Sequence, residues 1–157
     1  MFECYIETPL GHARIVGSFN GISSVSIHDY SSVLSTEIPE SLLDCVTQLK
    51  AYFNSELKEF NLKLNPEGTT FQRKVWWTLS QIPFGKTWSY LQLSKELGDP
   101  KAIRAVANAN GKNPLWIIVP CNRVIGSDGS LTGYAGGLHR KQWLINHESE
   151  AKQQSLF

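Results

Sequence analysis

The sequence predicts an α/β protein. A small N-terminal region of antiparallel strands plus a helix precedes a helical C-terminal domain with a winged helix-turn-helix-like arrangement. Three observations predict this. Short apolar runs broken by turn residues fill the first thirty positions. Residues 39–55 then switch to helical spacing. The turn-rich stretch NPEGTT at 65–70 is followed by helical segments joined through short turns. We divide the chain into domains 1–66 and 67–157.

FECYIE and HARIVG read as strands joined by the turn-like PLG, and FNG leads into ISSVSI. In ISSVSI the apolar Ile22, Val25 and Ile27 share a face only approximately, because their spacing is not strictly two. In PESLLDCVTQLKAYFNS, Leu42, Leu43, Val46, Leu49, Tyr52 and Phe53 form a helical stripe, with Cys45 beside it. FNLKL reads as one more strand. NPEGTT supplies a threonine suited to cap the next helix. That helix, FQRKVWWTLSQI, is expected to turn Phe71, Val75, Leu79 and Ile82 inward. PFGKT is a turn. SYLQLSKELG is a second helix ended by Gly98, and DP opens a third, KAIRAVANAN, ended by Gly111. Helix, short turn and helix make the helix-turn-helix pattern. WIIVP is expected as a strand, GSDGSLTGYAGG as a glycine-rich loop and LHRKQWLINHE as the last helix.

A length of 157 residues accommodates one ordinary domain or two small ones. The 15 basic and 14 acidic side chains leave a net charge of +1, so only local clustering of charge can point to nucleic acid. Cys4, Cys45 and Cys121 are an odd, widely spaced set, unlike a disulfide framework or a CxxC metal site. A reducing compartment suits them. The N-terminus carries an acidic residue and no long apolar run, unlike a signal peptide. No stretch approaches the ~20 apolar residues of a membrane span. We expect a soluble, monomeric protein of the cytoplasm, or of the nucleus if the source is eukaryotic.

The sharpest chemical feature is IIVPCNRVIG. Proline cannot continue a sheet ladder, so the chain must turn after the apolar run and can present the Cys121 thiol in a cavity. Arg123 nearby can favour thiolate. The plainer alternative is an inert buried cysteine, a common fate of free thiols. The small-residue helix KAIRAVANAN can approach another backbone closely, and Lys101, Arg104 and Lys112 give it a modest basic patch. A solvated helix face is the alternative there. In SLTGYAGGL, glycines flank Tyr134, which can line a slot for a flat base. Glu148 by itself reads as a carboxylate near a helix end.

Taken in order, FQRKVW, IPFGKTWSY, PKAIRAV, GKNP, IIVPCNRVIG, GYAGGL and WLINHE resemble the alkylguanine-DNA alkyltransferases, also called methylated-DNA–protein-cysteine methyltransferases. The resemblance runs from about Thr70 to Glu148. The N-terminal region resembles the family only in size and β character. The resemblance implies that Cys121 is the nucleophile and alkyl acceptor, and that Tyr90 assists base flipping and protonation of guanine. It implies that Arg104 is the finger that fills the vacated base stack, with Lys101, Ala105, Asn113 and Arg123 among the DNA-binding residues. Asn113 is also the hinge between recognition helix and active-site strand. Tyr134, Val124, Ala135, Gly136 and Trp116 line the alkylguanine pocket, and Glu148 belongs to the hydrogen-bond network behind the thiol. The implied partner is double-stranded DNA carrying alkylated bases, bound through its minor groove, with no cofactor and no metal. The chemistry is coherent with that reading. The O6 atom of guanine lies inside the duplex, so a thiol reaches its alkyl group only after the base is extruded.

The sequence departs from the family at three places. Asn122 stands where histidine is usual, and asparagine cannot hold the thiol proton as a cation. Ala135 stands where serine is frequent. Trp116 is bulky, with ordinary strand packing as an equal reading. The alternative function is a sensor that flips the alkylated base and recruits other factors without reacting. A cysteine hydrolase lacks a histidine in any hydrolase motif. A zinc site from Cys4, His12 and His28 lacks ligand spacing.

Overall fold

A computed structural model describes residues 1–30 and 33–154, the side chains of 152–154 excepted, so the last three positions of the expected second domain lie outside it. The chain forms two compact units, Met1–Glu67 with Pro114–Trp116, and Gly68–Asn113 with Ile117 onward. A single division after residue 66 therefore omits the three residues that rejoin the first unit.

In the first unit β1 (Phe2–Thr8), β2 (Gly11–Ser18) and β3 (Gly21–His28) form an antiparallel sheet in the order β1-β2-β3. Gly11 opens β2 at φ +133, and a Cβ there would lie 2.1 Å from the His28 carbonyl oxygen, so only glycine permits the approach of β3. Cys4, Ile6, Ala13, Ile15, Val25 and Ile27 fill the core face. A bulge at Val16/Gly17 pairs Val16 with Ser24 and Gly17 with Ile22, which leaves Ser23 as the extra residue. That bulge accounts for the odd spacing of Ile22 and Val25, both buried.

A 3₁₀ turn, Glu40–Leu42, leads into α1 (Leu43–Phe53), which buries Cys45, Val46, Leu49 and Tyr52. Leu43 and Phe53 remain outside that core. The helix ends with Ser55 at φ 61, Ser55 N–H donating to the Tyr52 carbonyl and Glu56 N–H to that of Ala51. FNLKL is not a strand. Gln48 binds both the N–H and the carbonyl of Asn61, and a single bridge pairs Leu64 with Ile22. WIIVP is not a strand either. Leu115 makes one bridge to Val25 and Trp116 N–H donates to the Val25 carbonyl, after which Ile117 turns at φ 73. His12 and His28 face each other across the sheet on the face opposite Cys4, so those three side chains do not converge on a metal.

In the second unit α2 (Thr70–Leu79) begins with a capping box between Thr69 and Gln72. Val75, Trp76 and Leu79 are buried and Ile82 follows them, but Phe71 stays 41% exposed on the first turn. Trp76 takes a place the sequence did not give it, its indole N–H donating to the Ala109 carbonyl at 2.8 Å. Ser89 caps α3 (Tyr90–Glu96), and Gly98 at φ +83 ends that turn. α4 (Ile103–Gly111) starts two residues later than KAIRAVANAN suggests, after a turn closed by Asp99. Two two-residue strands, β4 (Trp88–Ser89) and β5 (Val124–Ile125), pair in parallel. A loop over 126–137 precedes α5 (Leu138–Gln154). No helix among the described residues is long and apolar enough to cross a membrane.

Candidate active site

Pro120 sets the geometry. Its φ of -81 and ψ of 63 form an inverse γ-turn, with Cys121 N–H donating to the Val119 carbonyl at 2.8 Å. Cys121–Arg123 then make one 3₁₀ turn. The same Val119 carbonyl accepts the Asn113 amide at 2.9 Å, tying the residue just after α4 to the turn that carries the cysteine.

Cys121 is 7% exposed. Burial raises its thiol pKa, while a hydrogen bond from Asn113 and the positive charge of Lys141 act the other way. The charges of Cys121 and Arg140 are felt at the Tyr134 phenol. Burial pushes its phenol well above the ordinary value, with Cys121 adding to the effect, so it stays a hydrogen-bond donor. Lys141 is fully buried, and its Nζ donates to the Thr132 carbonyl at 2.7 Å. The Tyr90 hydroxyl donates to that carbonyl too, at 3.3 Å.

Behind the turn lies a buried ion pair. Arg123 Nε is 2.7 Å from Glu148 Oε1 and its Nη2 is 3.2 Å from Oε2. Nη1 donates to the Ile82 carbonyl at 2.7 Å, and the guanidinium lies over the Phe84 ring. All of the fork is thus engaged inside the protein. Arg123 faces neither the thiol nor a nucleic-acid surface, against the expectation that it helps the thiolate or meets DNA. Asn122, fully buried, directs Nδ2 to Glu148 Oε2 at 3.4 Å. Its Oδ1 has no hydrogen-bond partner among the described residues.

These features sit in a chain whose two parts match two sequence models. Residues 1–66 match the 6-O-methylguanine DNA methyltransferase ribonuclease-like domain, and residues 70–150 match the DNA binding domain of the same name. The chain belongs to the 6-O-methylguanine DNA methyltransferase family. It is 43% identical over 155 residues to a methylated-DNA–protein-cysteine methyltransferase of Methanosarcina acetivorans, covering 94% of this chain and 98% of that one. A protein of the same name from Mycolicibacterium paratuberculosis is also 43% identical, covering 96% and 94%. Among solved structures, Mycobacterium tuberculosis OGT in complex with DNA superposes with a TM-score of 0.86 at 40% identity, covering 95% of this chain and 93% of that chain.

Within this 6-O-methylguanine DNA methyltransferase fold, the remaining expected residues are distributed as follows. Lys101, Arg104 and Ala105 are exposed around the start of α4, and Asn108 joins them on that face. Ala135 is exposed and Gly136 buried, its carbonyl accepting the Arg140 guanidinium at 3.0 Å. Val124 is fully buried in β5 opposite Trp88. Trp116 groups with the first unit, its ring centroid 6.4 Å from that of His28. Sequence reasoning missed Lys141. A signal was there: Lys141, Leu144, Glu148 and Ala151 form the buried stripe of α5, and two charges on an apolar stripe call for partners.

Proposed function

We propose that this protein repairs alkylated DNA directly, moving the alkyl group from O6 of a flipped guanine onto Cys121 Sγ, once per molecule. The observation that carries the reading is a buried cysteine, held at a proline turn among Asn113, Tyr134 and Lys141, in a chain matching the family along both parts. The transfer is a displacement at carbon. It needs a thiolate, in-line geometry and a leaving guanine that gains a proton. The product is a thioether, which nothing in the site can cleave, so turnover stops at one.

Double-stranded DNA is the partner, met through its minor groove by a monomer. α4 is short and rich in small residues, which suits close approach there. Arg104 stands exposed at its start and fills the stack when the base leaves. Tyr90 crowds the neighbouring phosphate and donates toward the guanine. Tyr134, Ala135 and Gly136 form the side of the base pocket.

Cys121→Ser tests the reading. It should abolish transfer and keep duplex binding, whereas Cys4→Ala and Cys45→Ala should transfer as the parent does. A serine variant that still clears methyl groups would remove Cys121 from the mechanism. Arg104→Ala should slow repair of duplex far more than reaction with a free base analogue, because it acts on an unstacking cost of a few kcal/mol. Equal losses on both substrates would make Arg104 a residue of the fold alone.

A further inference from the structure

The loop that carries Tyr134, Ala135 and Gly136 is held from two helices. The first turn of α5 supplies two cations. Arg140 Nη1 donates to the Gly136 carbonyl at 3.0 Å, and Lys141 Nζ to the Thr132 carbonyl at 2.7 Å. α3 supplies the Tyr90 hydroxyl, which donates to the same Thr132 carbonyl at 3.3 Å. That hydroxyl also lies beside the next residue, Gly133, where an added Cβ would stand 3.6 Å from it. A carbonyl oxygen has two lone pairs, so it accepts both donors at once.

The two bonds differ in kind. Lys141 is fully buried and its bond is short. Burial lowers its ammonium only to about 8, which leaves it charged at neutral pH. A charge-assisted bond is roughly twice as strong as a neutral one. A buried ammonium that left this acceptor would also give up a partner that water cannot readily replace. The Tyr90 bond is longer than the ~2.7–2.8 Å at which O–H···O pairs cluster, and the residue is half-buried. Tyr90 is the first residue of α3, its carbonyl accepting Ser94 Oγ at 2.9 Å, so the hydroxyl can leave by side-chain rotation while the backbone stays.

We propose that the Thr132 carbonyl is a two-donor dock, with Lys141 the positioning residue that keeps the base-pocket loop in place and Tyr90 the donor that leaves it for the flipped nucleotide. This rests on the alkyl-transfer reading above. Because Lys141 stays, Tyr90 turns to the guanine without leaving the pocket loop unanchored. Once Lys141 is lost, Tyr90 is the donor that remains to the carbonyl, and the loop competes with the base for its hydroxyl.

Two measurements test the two roles. In the free protein, hydrogen exchange is followed at the Gly137 amide, which donates to the Tyr134 carbonyl at 3.0 Å and so reports the loop. Lys141→Met should speed exchange about tenfold, and Tyr90→Phe less than about twofold. Equal effects of the two variants, or none from Lys141→Met, would overturn the fixed role. Single-turnover transfer from a duplex bearing one O6-methylguanine is then measured for both variants and their combination. Tyr90→Phe should slow transfer about tenfold in the parent but less than about threefold in Lys141→Met, where the hydroxyl is already held by the loop. Losses that simply multiply are the result for a lysine that only supports the fold, and they would overturn the release of Tyr90. Should Lys141→Met not fold, Lys141→Gln, one atom shorter and uncharged, reads the same quantities. Wild type that takes no methyl group from the duplex would overturn the alkyl-transfer reading and the release of Tyr90 with it, while the fixed role of Lys141 stands or falls on the exchange result alone.

Discussion

Arg123 and Glu148 are 8% and 4% exposed at their side chains, so both charges depend on each other. Removing one partner of such a pair leaves a buried charge uncompensated, at a cost of about 3–5 kcal/mol. Arg123→Met should lower stability by that order in urea unfolding, and a change below ~1 kcal/mol would mean water reaches the carboxylate. Individual roles were unevenly legible at this scale. Cys121 stood out because proline forces a turn immediately before it. Asn113 and Glu148 were placed near the thiol by resemblance, and the Val119 carbonyl and the Arg123 fork supply the geometry. Arg123 itself was misread because a cation next to a cysteine in sequence need not point at it. On a 3₁₀ turn, neighbouring side chains diverge by roughly a third of a revolution. Lys141 was overlooked because a lysine in a helix is ordinarily a solvated one.

The elements were legible where local chemistry decides and obscure where a distant partner does. The three strands, the helix over 43–53 and the helix start at 70 follow from alternation, stripe and cap. WIIVP has the composition of a strand but only one ladder contact is available to it, and Ile117 is forced to φ 73, which a β-branched residue rarely adopts. FNLKL lost its strand to the Gln48 side chain. Two caps give element-scale predictions. Ser55 sits in the left-handed region at the end of α1, so Ser55→Gly should stabilise by about 0.5–1 kcal/mol. Thr69→Ala removes half of the capping box and should cost about 1 kcal/mol. Thermal unfolding measures both, and a neutral result at position 55 would indicate that the unfolded glycine gains as much freedom as the strain relieved.

The molecule as a whole places two buried thiols, Cys4 and Cys45, in the first unit and a third, Cys121, in the second. Burial raises the first two from 9.0 to about 11 and 12. The unfolded chain therefore releases those protons at lower pH than the folded one. Their contribution is fully present below pH 9.0 and is lost as pH rises through 11 and 12. A Cys4→Ala, Cys45→Ala double variant, less stable than the parent at neutral pH through lost packing, should close that gap above pH ~9, by about 1.4 kcal/mol per unit per thiol. A gap constant with pH would show that these thiols ionise as freely folded as unfolded. The central claim concerns the third cysteine, and intact mass tests it most directly. The protein is incubated with a duplex bearing one O6-methylguanine, then weighed and mapped. The account predicts a gain of one methylene on Cys121 alone, with at most one equivalent per chain. Duplex binding with no mass change, or a methylene on Cys4 or Cys45, would contradict it.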